Sequence, residues 1–200
     1  MEEKDSVAAI LLASGFSERF GERNKLLVPF RGKPLARYTI DLAVKFGFSG
    51  GIFFIASLDE VASLAVNLSM VTVIKNNSPE KGLRESVALG VEAASRRGAS
   101  YYLFFPCDMP LLDVATVQRI LDERKKGCIV EPRFRKRPGN PCLFSADFKS
   151  ELLSLGEDEA PWLIKASHPE LVRLVEITNP LILEDIDDEE TLQWIENTAP

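Results

Sequence analysis

Four short apolar runs, Val7 to Ala13 (VAAILLA), Ile52 to Ala56 (IFFIA), Val71 to Lys75 (VTVIK) and Tyr101 to Phe105 (YYLFF), alternate with longer amphipathic segments, and this alternation constrains the fold more than any other feature. Runs that are apolar on both faces suit strands covered on both sides. Between them, Pro34 to Phe46, Leu83 to Arg97 and Val114 to Lys126 carry apolar residues near helical spacing and basic residues toward their ends. Strand and helix in alternation imply βαβ crossovers. The predicted class is therefore α/β, with a mostly parallel sheet and helices on both faces, a three-layer α/β/α arrangement.

After Cys128 the rhythm weakens. Pro132 to Pro141 is basic and proline-bounded and reads as a loop, Phe148 to Leu153 as a helix, Val172 to Ile177 (VRLVEI) as a half-buried strand and Glu189 to Glu196 as a closing helix. No linker, repeat or low-complexity segment interrupts the chain, so one domain over residues 1–200 is the simplest organisation, and 46% hydrophobic residues suffice for a real core. A net charge of −6 without long basic runs argues against nucleic acid as a partner. No apolar stretch reaches the ~18 residues of a membrane span. The acidic, polar segment Met1 to Asp5 lacks the pattern of a secretory signal, which predicts a cytoplasmic protein. Cys107, Cys128, Cys142 and His168 are too scattered for a zinc site or disulfide framework, and they support no Ser-His-Asp or Cys-His nucleophile.

In open parallel sheets, ligands bind at the carboxyl ends of the strands, so the loops there carry the chemistry. The first run passes into Leu12-Ala13-Ser14-Gly15, followed by Arg19, Gly21 and Asn24-Lys25. Small residues at 13 to 15 let the backbone approach a ligand, consecutive N–H groups can cradle an anion, and Arg19 and Lys25 add full charges. The spacing is neither a P-loop nor Gly-x-Gly-x-x-Gly, and a glycine turn with solvated charges is the alternative. Gly82 to Ser86, with Gly90, opens the helix after the third run, where Gly82 can simply end a loop and Ser86 pack in the first turns. Asp108 stands between Pro106 and Pro110 at the end of a buried strand, on the ligand side, where a desolvated carboxylate needs a positive partner. A turn cap is the competing role.

The Leu-Ala-x-Gly-x-Ser-x-Arg-x-Gly stretch from Leu12 to Gly21, Asn24-Lys25-Leu26-Leu27, Gly32 to Leu35 and Cys107-Asp108-Met109-Pro110 together resemble the molybdenum cofactor cytidylyltransferases. These belong to the MobA-like superfamily of nucleotidyltransferases, which includes the guanylyltransferase of the same cofactor. The resemblance runs from Ile10 to Thr191. It implies a Rossmann-like nucleotidyltransferase fold, that of the nucleotide-diphospho-sugar transferases. It also implies Mg²⁺-dependent transfer of CMP from CTP to a molybdopterin-type cofactor, with release of pyrophosphate. On this resemblance Leu12, Ala13, Ser14 and Gly15 meet the base and phosphates, Arg19 and Lys25 neutralise the triphosphate, Gly82 and Ser86 hold the nucleoside, and Asp108 binds Mg²⁺. Asp187, in Glu184-Asp185-Ile186-Asp187, falls where relatives place a second metal-facing carboxylate, with helix capping by one of these acids as the alternative. The basic stretch Arg133, Arg135, Lys136 and Arg137 before Gly139-Asn140-Pro141 is similar to the acceptor segment Gly-His-Pro-x-x-Phe, which implies that Arg135, Arg137, Gly139, Asn140 and Pro141 meet the acceptor, with a solvated charged face as the alternative for the basic run.

Two positions depart from that pattern. Asn140 replaces the usual histidine. Leu-Ala-Ser-Gly matches neither the Leu-Ala-Ala-Gly of the cytidylyl enzymes nor the Leu-Ala-Gly-Gly of the guanylyl ones, although serine is nearer alanine in backbone restriction. Competing readings keep the chemistry with GTP or with a sugar or polyol phosphate acceptor. Another class of reading is a non-catalytic cofactor carrier or insertion partner for a molybdenum hydroxylase, against which stand Lys25 and Asp108, a charge clamp a carrier has little need of.

Overall fold

The computed structural model describes residues 5–15, 20, 23–157 and 159–198. Its elements in chain order are β1 (Val7–Ala13), β2 (Pro29–Phe30), β3 (Lys33–Pro34), α1 (Leu35–Phe46), β4 (Ile52–Ala56), α2 (Asp59–Ser63), β5 (Val71–Lys75), α3 (Leu83–Arg96), β6 (Tyr101–Pro106) and α4 (Val114–Asp122). The second half adds β7 (Ile129–Phe134), β8 (Arg137–Pro138), β9 (Cys142–Ser145), α5 (Lys149–Leu153), α6 (Trp162–Ser167), β10 (Val172–Glu176) and α7 (Glu189–Thr198).

The residues of β1 divide between two cores. Ala9, Leu11 and Ala13 pack with Ala36, Ile40 and Ala43 of α1 and Val117 and Ile120 of α4. Ala8 and Ile10 pack on the opposite face with Val87, Val91 and Ala94 of α3, Leu152 of α5 and Ile164 of α6. Burial on both faces is why β1 and its neighbours β4 and β6 are almost uniformly apolar, each large side chain contributing about 1.5–3 kcal/mol. The sheet runs in the order β10-β7-β9-β6-β1-β4-β5, with β8 paired to β7. Strands β6, β1, β4 and β5 are parallel, β10 is parallel to β7, and β9 is antiparallel to both of its neighbours. The three-layer, mostly parallel α/β/α arrangement predicted from the alternation is the one observed. Among the described residues no helix is long and apolar enough to cross a membrane.

The stretch Pro132 to Pro141, predicted to be a loop, instead forms a hairpin: β7 continues to Phe134, Arg135 turns at φ 57°, and β8 returns through Arg137 and Pro138. Composition misled here because Pro132 lacks only a donor, and its carbonyl still accepts the Gly139 N–H at 2.8 Å. The helix predicted over Val114 to Lys126 ends at Asp122. A third cluster, Phe20, Phe30, Leu35, Ile186 and Ile195, packs α7 and the segment before it against the β2–β3 hairpin and the start of α1.

Gly90 lets α3 lie directly on β1. A Cβ at this position would stand 2.3 Å from Ile10 Cγ2, inside the core. Gly90→Ala should therefore lower stability by about 1–3 kcal/mol despite the better helix propensity of alanine. A lower urea midpoint with an unchanged slope is the expected result, and a raised midpoint would contradict the close approach.

Candidate active site

The carboxyl ends of β1, β5 and β6 open into a cleft of about 540 Å³. Its floor is Leu12 on β1, Phe104 and Pro106 on β6, and Cys142 and Phe144 on β9. Ser14 and Gly15, Gly82 to Ser86, Pro138 to Asn140, and the stretch from Ala160 to Lys165 contribute its walls.

Lys25 opens a 3-10 turn, Lys25–Leu27, fixed by Asn24, whose side-chain oxygen accepts the Leu26 N–H at 2.9 Å. From this turn the ammonium reaches Asp108 Oδ2 at 2.7 Å and Asp187 Oδ1 at 2.6 Å. Burial opposes the charge on Lys25, but the carboxylates of Asp108 and Asp187 outweigh it and hold the pKa above the usual 10.5. The ammonium thus stays charged throughout the neutral range. Asp108 Oδ1 is buried and has no hydrogen-bond partner among the described residues.

Asp187 is brought to this place by Ile186. That residue is fully buried in the third cluster, and its N–H donates to the Asp108 carbonyl at 2.9 Å. Asp185 lies on the other side of Ile186, and its carboxyl is held above the usual range, first by partial desolvation and then by the negative charge of Asp108 and Asp187, with Lys25 pulling the other way. Three carboxylates around one ammonium leave a local excess of negative charge. Such hard oxygen donors, one of them orphaned, fit a divalent cation. No group of three metal-ligating side chains lies close enough to enclose an ion among the described residues, so such a cation would complete its shell from phosphates and water.

The nucleotide-side residues divide by what their atoms already do. Ser14 Oγ donates to the Ile55 carbonyl at 3.1 Å, which ties its loop to the end of β4. Ala13 is buried in the core and leaves only its backbone for a ligand. Gly15 has open space where a Cβ would stand. Gly82, at φ 73°, turns the chain into α3 in a conformation that favours glycine. The Ser86 hydroxyl accepts from Asn76 Nδ2 at 3.1 Å, and Asn76 Oδ1 in turn accepts the Ser78 N–H at 2.9 Å.

Leu12, Ser14, Gly15, Lys25, Gly82, Ser86, Asp108, Gly139 and Asn140 thus line one cleft, and Asp187 joins it through Lys25. Arg19 lies outside the described residues. Pro141 is buried behind the wall, after a cis Asn140–Pro141 peptide. Arg135 and Arg137 stand on the exposed β7–β8 hairpin rather than in the cleft lining; Arg135 covers the Phe134 ring at 5.1 Å, and Arg137 pairs with Glu184, Nη2 to Oε2 at 3.0 Å. Sequence reasoning missed Asn76, Glu131, Trp162 and Lys165. The one signal available was Glu131, a charge set in the run Ile-Val-Glu-Pro on a buried strand.

Asn76 is 1% exposed, so Asn76→Ala would strand both the Ser78 N–H and the Ser86 hydroxyl. A loss of about 1–3 kcal/mol in chemical denaturation is expected, and an unchanged midpoint would show that these hydrogen bonds do not organise the loop.

The model of the MobA-like NTP transferase domain matches residues 9–171. Nicotine blue oxidoreductase of Paenarthrobacter nicotinovorans is 25% identical over 195 residues, covering 93% of this chain and 94% of that protein. The molybdenum cofactor guanylyltransferase of Yersinia pestis (strain Pestoides F) is 27% identical over 128 residues, 60% of this chain and 58% of that protein. Among solved structures, a nucleotidyl transferase from Methanothermobacter thermautotroptrophicus superposes with a TM-score of 0.83 at 22% identity, covering 96% of this chain and 97% of that one. Rv0371c of Mycobacterium tuberculosis, in a complex with manganese, superposes at 0.73 and 23% identity over 97% of this chain and all of that one. These two likenesses concern the fold, that of the nucleotide-diphospho-sugar transferases. With a matching family model over most of its length, the chain belongs to the MobA-like NTP transferase domain family and is a nucleotidyltransferase.

Proposed function

We propose that this protein transfers CMP from CTP to the phosphate of a molybdopterin-type cofactor and releases pyrophosphate. The observation that carries the reading is the Lys25 ammonium set between Asp108 and Asp187 at the strand ends of an open cleft. In this reading the backbone from Leu12 to Gly15 and the Gly82–Ser86 turn hold the nucleoside, while Lys25 and Arg19 meet the triphosphate. Gly139, Asn140 and Pro141 border the acceptor, and Arg135 and Arg137 add positive charge from the hairpin. The cytoplasm is the proposed location, and a molybdenum hydroxylase the proposed recipient of the product.

An oxygen of the acceptor phosphate attacks the α-phosphorus of the nucleotide. The new P–O bond forms as the bond to the α,β-bridging oxygen breaks, and pyrophosphate leaves with that electron pair. The acceptor is already an anion, so neither a general base nor a covalent protein intermediate is needed. What the chain supplies is alignment and fixed positive charge. Asp108 and Asp187 would hold a divalent cation, for which Mg²⁺ is the proposed identity, and that ion neutralises phosphate charge when bound. The orphaned Asp108 Oδ1 supports the fit.

Nucleotide choice turns on Ser14. Its Cβ and its hydroxyl, engaged on Ile55, make this loop closer to the alanine-bearing cytidylyl pattern than to the glycine-bearing guanylyl one. GTP remains the competing nucleotide, because the relative from Yersinia is a guanylyltransferase.

A panel of nucleotides and acceptors scored for pyrophosphate tests the reading, with CTP and molybdopterin expected to give the highest rate and a chelator to abolish it. Lys25→Ala and Asp108→Ala should each lower turnover by ~10²-fold or more. Absence of pyrophosphate with every nucleotide would overturn the proposal, and reduction of nicotine blue in its place would favour the redox activity named by the full-length relative.

A further inference from the structure

On the β7–β9 side of the cleft, Lys165 of α6 forms an ion pair with Glu131 of β7, and its Nζ lies 3.5 Å from Cys142 Sγ on β9. The two charged side chains are only 17% and 10% exposed. Burial works against the charge on Lys165, but its partners hold the pKa above the ordinary lysine value. Burial also pushes the Cys142 thiol up to about 11, so at neutral pH Glu131 is the only negative partner among these groups. A buried pair of this kind is weak grounds for stability, since apolar side chains of similar volume would serve as well. Lys165 nevertheless lines the cleft.

Three residues earlier, and so on the same side of α6, Trp162 also lines the cleft while remaining 58% exposed. An indole presented to a cleft in this way offers a flat apolar face. Asn140, across the wall, presents an amide to the same space. Because Glu131 balances the charge of Lys165, the pair offers a fixed N–H donor rather than net positive charge. That suits a neutral oxygen acceptor better than a phosphate, which the Lys25 end of the cleft already serves. An ammonium has three donors, of which Glu131 and Cys142 account for two.

We propose that Trp162 and Lys165 form the subsite for the acceptor's ring: a planar, fused heterocycle stacks on the Trp162 indole, and Lys165 donates to an oxo group on its edge. Glu131 is a positioning residue that fixes the Lys165 ammonium. The proposal rests on the nucleotidyl-transfer reading for the identity of the acceptor, and it assigns the ring, not the reacting phosphate, to this side.

The chain has two tryptophans, Trp162 and Trp194, so Trp194→Phe isolates the fluorescence of Trp162. In that background, titration with phosphate-free pterin should quench the emission saturably, and inorganic phosphate should not. Lys165→Met should weaken pterin binding about 5–20-fold, the equivalent of one hydrogen bond, with Lys165→Arg retaining part of it. Glu131→Gln should weaken it in the same direction, while calorimetry with Mg·CTP gives an unchanged Kd. The double variant Glu131→Gln, Lys165→Met removes both charges and remains foldable if the single variant is not. Equal pterin affinity in parent and Lys165 variants, or no saturable quenching, would overturn the subsite. Pterin binding lost on Lys165→Met in a protein that binds no nucleotide would uphold the subsite and overturn the transfer reading instead.

Discussion

The Lys25 ammonium, held between Asp108 and Asp187, is the interaction on which the rest of the site depends. It joins positions 83 and 162 residues apart in the chain. Two carboxylates drawn this close repel each other, and leaving one charge without its counterpart in a partly buried site costs far more than the intact arrangement contributes. The pairing is made possible by apolar packing nearby. Ile186, buried with Phe20, Phe30, Leu35 and Ile195, pins the C-terminal segment and places Asp187 within reach. The hydrogen bond from Ile186 N to the Asp108 carbonyl then sets the two acidic segments side by side.

The sheet provides a stiff floor for that charge cluster. Strands β1, β4 and β6 are covered on both faces, and α3 lies directly on β1 through Gly90, so the loops at their carboxyl ends leave a rigid layer. Ser14 and Asn76 extend that rigidity into the loops with side-chain hydrogen bonds. Among the described residues, the cleft therefore has two cations in different settings. Lys25 faces an excess of carboxylates, which suits a metal ion and, through it, phosphates, whereas Lys165 is balanced by Glu131 and is suited to reading a neutral edge.

How much of this was legible in the sequence follows from how local each cause is. Runs β1, β4 and β6 are visible because burial on both faces excludes charged residues from them, whereas the edge strand β5 is only half-buried and admits Thr72 and Lys75. The β7–β8 hairpin is hidden because its strand ends in proline and arginine, and β9 because four residues give too short a period. Gly82 is legible because its φ of 73° favours glycine, whereas Lys25 and Asp108 are legible through the motifs around them that carry the family resemblance. The role of Ser86 is not, since its hydroxyl is held by Asn76 ten positions earlier. Arg135 and Arg137 are legible as a basic run, but neither their place on an exposed hairpin outside the cleft lining nor the pairing of Arg137 with Glu184 has a local signal. Lys165 has no local signal at all, as its setting comes from Glu131, 34 residues away and on another element.

The most direct test of the account is a crystal of the protein grown with Mn²⁺ and a non-hydrolysable CTP analogue, with the metal located by anomalous scattering. The account predicts a peak bonded to oxygens of both Asp108 and Asp187 at ~2.1–2.2 Å, with the Lys25 ammonium moved from between them onto the nucleotide phosphates. A metal bound elsewhere, with Lys25 still paired to both carboxylates, would contradict it.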